Sequence, residues 1–315
     1  MKIIVKTKFG SHLYGTNTEN SDTDYKGIFL PTKEQIFLGN IPKSYTENTS
    51  NDNISKNTKD DIDLELYSLH YFIKLALEGQ TVAIDMLHAP NNMIEERSVI
   101  WDSIVSNREK FYTKNLKAFI GYARRQASKY GIKGSRLNAA NGIVKYLKRF
   151  KDSAKLEVAW GGLLNYVGDH CHFYDDNPNG IKQFMACGKI LQETQKVGYT
   201  IEILEKFISE YGKRAELAAK NEGIDWKAVS HALRAAYQVK EILTKKMITF
   251  PLRQAEFLKE VKNGTFDYIS FVAPVLEKIM DEVELLSEKS DLPMKPDKKF
   301  WDKFIIDTIS KEYGF

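Results

Sequence analysis

The beginning of the chain alternates apolar and polar residues with the period of a β-strand. Ile3 and Val5 alternate with Lys2 and Lys6, and Gly10 ends the run. Successive side chains of a strand point to opposite faces of a sheet, so this segment is predicted to be a half-buried strand.

Further segments extend this pattern. Residues 25–30 are predicted to form a second strand that ends at Pro31. The polar residues 40–60 are predicted to form a long loop. Residues 61–66 alternate strictly between carboxylates and aliphatic side chains, and the apolar spacing becomes helical over 69–77. The carboxylates of this third strand therefore share one face, about 7 Å apart.

Beyond about residue 100 the strand pattern fades. Apolar residues recur with helical spacing in five stretches, 114–130, 201–220, 226–247, 270–288 and 299–312. Turns are predicted at 177–180 and near Pro293. We expect an α+β protein, with a small mixed-sheet α/β domain over residues 1–115 and a larger all-helical domain over residues 116–315.

The charge is divided unevenly between these two parts. Residues 1–115 carry a net −3, with 13 Lys or Arg against 16 Asp or Glu, and residues 116–315 carry +7, with 33 against 26. An acidic first part beside a basic remainder suits a carboxylate metal site next to a surface that tolerates a polyanion. A solvated, lysine-rich helix surface explains the excess equally well.

The cysteines and the apolar runs indicate the cellular setting. Cys171 and Cys187 are too few for a disulfide framework and are expected to be reduced thiols in a cytoplasmic protein. The first ten residues are too polar for a signal peptide, and no apolar run reaches the roughly 18 residues of a membrane span. We therefore expect no membrane partner.

A glycine-bounded turn, GSHLYG at residues 10–15, follows the first predicted strand. Gly10 and Gly15 permit left-handed backbone and close backbone approach, so the turn can direct N–H groups at a phosphate. Ser11 adds a hydroxyl donor at the same place. His12 lies inside the turn, where contact with a nucleotide and packing of the turn are equally plausible roles.

Several carboxylates lie around the second and third predicted strands. Asp22 and Asp24 are two residues apart, which places both on one face, where they can bind the same hard cation. A third carboxylate from a neighbouring strand would complete a two-metal site, which clamps the attacking and leaving oxygens of a displacement. Asp63 is the preferred third ligand, Glu65 is its rival, and Asp61 is the weakest choice.

The combination of turn and carboxylates resembles the signature of the DNA polymerase β-like nucleotidyltransferase superfamily. The fuller pattern over residues 10–27, G-S-x(3)-G-x(5)-S-D-x-D-Y-x-G, is similar to a bacterial and phage branch, some of whose members are associated with RNA ligases. Residues 63–69 and the H-x-x-R sequence at 231–234 also fit this branch. The specific motif covers about a fifth of the chain.

The resemblance implies a function for each part of the motif. It implies that the turn binds the triphosphate of an NTP such as ATP, with Gly10, Ser11, His12, Gly15 and Ser21 as the nucleotide-binding set. It also implies that the two aspartates and a third acid bind magnesium, so two Mg²⁺ or Mn²⁺ ions are expected at the four acids Asp22, Asp24, Asp63 and Glu65.

Two further groups of residues are weaker candidates. His231 and Arg234 share a face of a predicted helix and could reach the triphosphate or the acceptor, although a surface pair is the competing interpretation. The basic residues of 145–151, interleaved with aromatics, suit single-stranded nucleic acid or an ordinary solvated helix. The sequence His170-Cys171-His172 lacks the second ligand pair of a zinc site.

The sequence therefore predicts a nucleotidyltransferase that moves NMP from an NTP to an acceptor and releases pyrophosphate. An RNA end is slightly favoured as the acceptor over a protein hydroxyl or a small molecule. The alternatives are an inactive member of the superfamily that binds nucleotide or RNA, and an interaction protein that acts through its helical half. The oligomeric state is not predicted.

Overall fold

A computed structural model describes residues 1–49, 61–114, 134–168, 170–174 and 180–314, with the backbone alone at 134, 135, 212, 214–216 and 219. The chain divides into two compact units. The first combines residues 1–126, 226–266 and 274–315, and the second combines 127–225 with 267–273.

The first unit contains a mixed five-stranded sheet. Its strands are β1 (Lys2–Lys8), β2 (Thr23–Leu30), β3 (Ser44–Asn48), β4 (Ile62–Ser68) and β5 (Ile94–Arg97), in the order β3-β4-β2-β1-β5. Strands β2 and β4 are parallel, and the other neighbouring pairs are antiparallel. A register irregularity between Ile3 and Val5 lets the adjacent residues Ile4 and Val5 both be buried, which interrupts the predicted alternation.

The α-helices are α1 (Gly10–Tyr14), α2 (Lys33–Phe37), α3 (Leu69–Leu77), α4 (Thr81–Met86), α5 (Val99–Ser106), α6 (Gly134–Leu147), α7 (Val197–Ala219), α8 (Trp226–Lys245), α9 (Ala255–Lys262), α10 (Ala273–Lys289) and α11 (Lys298–Tyr313). Short 3₁₀ helices span Asn91–Met93, Arg108–Phe111 and Leu156–Tyr166, and a π-helix spans Tyr268–Val272. None of the described helices combines the length and the apolar composition that a membrane crossing requires.

Helices from both ends of the chain build the core of the first unit. Ser68 ends β4 and caps α3 through its hydroxyl, and Phe72 of α3 packs edge-on against Trp101 of α5. Trp301 of α11 stacks on Phe111 with 3.9 Å between the ring centroids. The C-terminal helix is therefore part of the unit that contains the N-terminal sheet.

The second unit packs helices against a small antiparallel sheet. Its strands are β6 (Cys171–Tyr174), β7 (Gln183–Ala186) and β8 (Lys189–Gln192), and its core contains Leu147, Leu163, Phe184, Leu191 and Leu204. Cys171 and Cys187 are buried free thiols. Because of this sheet, the later part of the chain is mostly helical and not all-helical as predicted. The sheet was not predicted because strands of four residues are too short to show a period.

The α+β class is confirmed. The helices predicted at 201–220, 226–247, 270–288 and 299–312 correspond to α7, α8, α10 and α11. Most of the helix predicted at 114–130 and most of the turn predicted at 177–180 lie outside the described residues. The division at residues 115/116 also borders them, so it stays a prediction.

The stack between α11 and the 3₁₀ helix makes a testable contribution to stability. We expect Trp301→Ala to lower the free energy of unfolding by about 3–5 kcal/mol, because it leaves a cavity beside Phe111. Ile306→Ala is the control on the same helix, since Ile306 is 63% exposed, and it should change stability by less than about 0.5 kcal/mol. Chemical denaturation measures both, and equal effects would contradict the packing of α11.

Candidate active site

Three carboxylates meet where β2 and β4 begin. Asp24 of β2 lies directly opposite Asp63 of β4 in the parallel ladder, and Asp22 immediately precedes β2. Each residue offers one carboxylate oxygen to a cluster in which all three oxygens lie within 4.8 Å of one another. All three side chains are partly buried. The structure therefore brings together the three acids that were preferred from the sequence.

The register of β2 and β4 separates Asp63 from its rival. Glu65 lies opposite Lys26, whose ammonium is 2.8 Å from the carboxylate, and the Tyr67 hydroxyl donates a second hydrogen bond of 2.6 Å. Burial alone would raise the pKa of Glu65, but these two hydrogen bonds hold it below its ordinary value. Glu65 and Asp61 are outside the carboxylate cluster of the described residues.

The turn after β1 is fixed against Asp24. The Phe9 amide donates to the Asp24 carbonyl at 2.7 Å, and Gly10 has φ +60°. A Cβ on Gly10 would lie 1.9 Å from Asp24 Oδ2. Position 10 therefore requires glycine for both its left-handed backbone and its contact with the carboxylate.

Two side chains of this turn have polar atoms that the protein does not satisfy. The Ser11 Oγ and the His12 Nε2 are buried and have no hydrogen-bond partner. An unsatisfied buried polar group costs about 1–3 kcal/mol, so it is retained mainly where something else binds it. Ser21, by contrast, accepts a 2.9 Å hydrogen bond from the Thr18 amide and so shapes the loop before β2.

The far end of the turn packs against a segment from the second half of the chain. Gly15 has φ +74°, and a Cβ there would lie 2.7 Å from Pro251 Cβ. The Leu252 amide donates to the Tyr14 carbonyl at 3.1 Å. Gly15 thus permits the close approach of Pro251, and its role in nucleotide binding stays a prediction.

Burial and neighbouring carboxylates raise the pKa of Asp24 above its ordinary value. Asp22 and Asp63 add to the effect of burial, while Lys26 and His12 oppose it. The neighbouring carboxylates therefore add to the cost of ionising the buried Asp24. A cation would relieve this repulsion.

Arg234 lies beside the turn. Its guanidinium carbon is 3.9 Å from the centroid of the Tyr14 ring, and its Nε is buried without a hydrogen-bond partner. His231, three residues earlier in α8, is partly buried. The structure therefore brings Arg234 to the turn, and the role of His231 stays a prediction.

Sequence reasoning missed a buried carboxylate behind the turn. Asp85 of α4 is fully buried and accepts hydrogen bonds from the Tyr14 hydroxyl at 2.8 Å and from Gln238 Nε2 at 2.9 Å. Burial raises its pKa to about 6, against the opposing effect of the Arg234 charge and the two hydrogen bonds. The sequence offered one signal of this carboxylate, the single acid within the otherwise apolar run VAIDML at residues 82–87.

The aromatic residues of the basic patch at 145–151 pack against the core of the second unit, and nucleic-acid binding by the patch stays a prediction. Tyr146 donates a 2.9 Å hydrogen bond to the Ala159 carbonyl and packs edge-on against Phe150, and Lys148 pairs with Glu205 at 2.7 Å. The interleaved aromatics therefore serve the core of the second unit.

Comparison with known proteins identifies the family of this chain. Residues 1–149 match a sequence model described as RlaP, the RNA repair pathway DNA polymerase beta family. This chain is also similar to an uncharacterized 38.9 kDa protein of the nrdC-mobD intergenic region of Enterobacteria phage T4. The two are 40% identical over an alignment of 325 residues, which covers 97% of this chain and 96% of the phage protein. The chain belongs to the RNA repair pathway DNA polymerase beta family. No solved structure matches it.

Membership of this family confirms the resemblance to polymerase β-like nucleotidyltransferases. The matched residues include the turn and the three carboxylates but end before α8, which carries Arg234 and Gln238. The family match therefore spans the turn and the three carboxylates, and the residues of α8 lie outside it.

The burial of Asp24 and the repulsion from its neighbouring carboxylates have a measurable consequence for stability. A carboxyl group with a raised folded-state pKa destabilises the fold when it is ionised, and this effect disappears as the pH falls through that pKa towards the unfolded value of about 3.9. Without metal at pH 7, Asp24→Asn should therefore leave the free energy of unfolding unchanged or higher.

Denaturation in the presence of a chelator measures this effect, with exposed Asp281→Asn as the control. Any gain in the free energy of unfolding from Asp24→Asn should shrink at pH 3–4. A loss of more than about 1 kcal/mol at pH 7 would mean that the Asp24 charge stabilises the fold, against a ligand-binding role.

Proposed function

We propose that this protein is a metal-dependent nucleotidyltransferase that moves NMP from an NTP to an acceptor hydroxyl. The observation that carries this proposal is the cluster of Asp22, Asp24 and Asp63 beside a turn with two unsatisfied buried polar atoms. Such a site offers ligands for a hard cation and for a phosphate side by side, which is the requirement of phosphoryl transfer.

The three aspartates fit Mg²⁺ or Mn²⁺. Carboxylate oxygens are the donors that these hard cations prefer, and three of them lie within 4.8 Å of one another. Asp22, Asp24 and Asp63 would hold the metal, with two ions expected from the family resemblance. When bound, the metal supplies Lewis-acid stabilisation of the charge on the transferred phosphoryl group.

The protein side chains then bind and orient the substrate. Ser11 and His12 would hydrogen-bond the triphosphate at the turn, and Arg234 would contribute a fixed positive charge for the leaving pyrophosphate. The acceptor oxygen forms a bond to the α-phosphorus as the α–β bridging P–O bond breaks. Pyrophosphate leaves with the bonding electron pair, and the hydroxyl proton passes to a carboxylate or to water.

The description of the matched family favours an RNA end as the acceptor, since it refers to RNA repair. A protein hydroxyl and a small molecule are the alternative acceptors. The competing function is nucleotide or RNA binding without catalysis. The intact set of three acids argues against it, because a binding module gains nothing from the repulsion among them.

Substitution of single acids tests the proposal. Incubating the protein with each labelled NTP, Mg²⁺ and RNAs of defined ends would detect transfer. Asp22→Asn and Asp24→Asn should abolish it, and Asp63→Asn should reduce it more than Glu65→Gln, because Glu65 binds Lys26 and lies outside the cluster. More than about a tenth of the wild-type rate in Asp22→Asn or Asp24→Asn would contradict the metal assignment.

The close approach of Gly10 to Asp24 provides a second test with a matched control. Gly10→Ala should weaken Mn²⁺ binding at least about tenfold, or about 1.4 kcal/mol, since the new Cβ displaces the Asp24 carboxylate. Gly39→Ala is the control, because Gly39 has a similar φ of +67° but nothing within 4 Å of the added Cβ.

Both alanine variants should lose similar stability from backbone strain, so only the displacement of Asp24 distinguishes them. Calorimetry with Mn²⁺ measures the binding. Equal Mn²⁺ affinity in the two variants would remove Asp24 from the metal site.

A further inference from the structure

A buried carboxylate behind the phosphate turn connects three parts of the first unit. Asp85 of α4 has no exposed surface, and burying an ionised carboxylate costs several kcal/mol before its partners compensate for it. A well-packed apolar side chain at such a position is often neutral or stabilising by comparison. Fold stability alone is therefore a weak reason for a charge at this place.

The partners of Asp85 lead to the proposed nucleotide site. Its Oδ2 accepts from the hydroxyl of Tyr14, the last residue of α1, and its Oδ1 accepts from Gln238 of α8. Burial and the negative charge of Asp85 raise the pKa of Tyr14, so the hydroxyl stays protonated and remains the donor. Asp85 thus fixes the Tyr14 ring from its hydroxyl end.

Arg234 lies on the ring that Asp85 fixes. Its guanidinium carbon is 3.9 Å from the ring centroid, and its charge acts on Asp85. Since Gln238 follows Arg234 by one turn of α8, the hydrogen bond from Gln238 to Asp85 also ties this part of α8 to α4. The Tyr14 ring and α8 together constrain the Arg234 side chain, whose Nε has no hydrogen-bond partner.

We propose that Asp85 is a positioning residue that, through its negative charge and its hydrogen bonds with Tyr14 and Gln238, holds the Arg234 guanidinium ready to bind the triphosphate of the nucleotide. This inference rests on the proposed function, because it assigns Arg234 to the triphosphate. The inference goes beyond the proposed function because it gives Asp85, a fully buried residue outside the motif, a role in nucleotide affinity.

Asp85→Asn is the informative variant because it removes the charge with little change of shape. The new amide can still accept from the Tyr14 hydroxyl. It can also donate to Gln238 Oε1, which is buried without a hydrogen-bond partner. Tyr14→Phe is the second variant, since it keeps the ring under Arg234 but removes the hydrogen bond to Asp85.

Ser230→Ala is the matched control. Ser230 lies on the same helix as Arg234, is buried, and donates a 2.8 Å hydrogen bond to the Leu258 carbonyl. It therefore reports the effect of losing a buried hydrogen bond of α8 without any change to the Asp85 contacts.

The experiment measures the affinity of the full chain for inorganic tripolyphosphate by calorimetry, with Mg²⁺ and with a chelator, alongside melting temperatures. Asp85→Asn should bind about tenfold more weakly than wild type, Arg234→Ala at least as weakly, and the double variant no more weakly than Arg234→Ala. Tyr14→Phe should weaken binding as well. Ser230→Ala should bind like wild type even where its melting temperature is lower.

Each contrary result identifies what is wrong. Wild-type affinity in Asp85→Asn or, if that variant does not fold, in Tyr14→Phe would overturn the positioning role. Additive losses in the double variant would also overturn it, because Asp85 would then act independently of Arg234. Absence of tripolyphosphate binding by wild type would overturn the proposed function, and the inference with it. Binding that is unaffected by both Mg²⁺ and Asp22→Asn would overturn only the metal assignment.

Discussion

The parallel pairing of β2 with β4 is the constraint on which the site depends. It places Asp24 opposite Asp63 and Lys26 opposite Glu65, so one row of the sheet carries two like charges and the next row on the same face carries an ion pair. A shift of one residue would move the acids of one strand to the other face. The register therefore places Asp63 beside Asp24 and gives Glu65 a cationic partner in Lys26.

The antiparallel pairing of β1 with β2 fixes the turn beside the sheet. The Phe9 amide bonds to the carbonyl of Asp24, so the turn after β1 is fixed to the strand that carries the central acid. Gly10 allows this approach because it has no side chain. The turn and the carboxylates thus form one structural element, and a displacement of either changes the other.

The sequence predicted the parts of this arrangement that short-range patterns determine. Strand alternation, the glycines of the turn and the spacing of Asp22 and Asp24 are all local features. The choice between Asp63 and Glu65 depends on strand register, a long-range property that the residues alone left open. Asp85 was missed for a similar reason, because its partner Gln238 is 153 residues away in the chain. The small sheet of the second unit was missed because its strands have only four residues each.

The contact of Gly15 and Tyr14 with Pro251 and Leu252 has a consequence for how the site forms during synthesis. The carboxylates and the turn emerge from the ribosome early, but the segment that packs against the turn is made more than 230 residues later. Contacts of such high sequence separation form late, since the intervening chain must first be present and then ordered. A nascent chain therefore carries the complete acidic motif well before it has the segment that packs against the turn, and the finished arrangement requires most of the chain to have been translated.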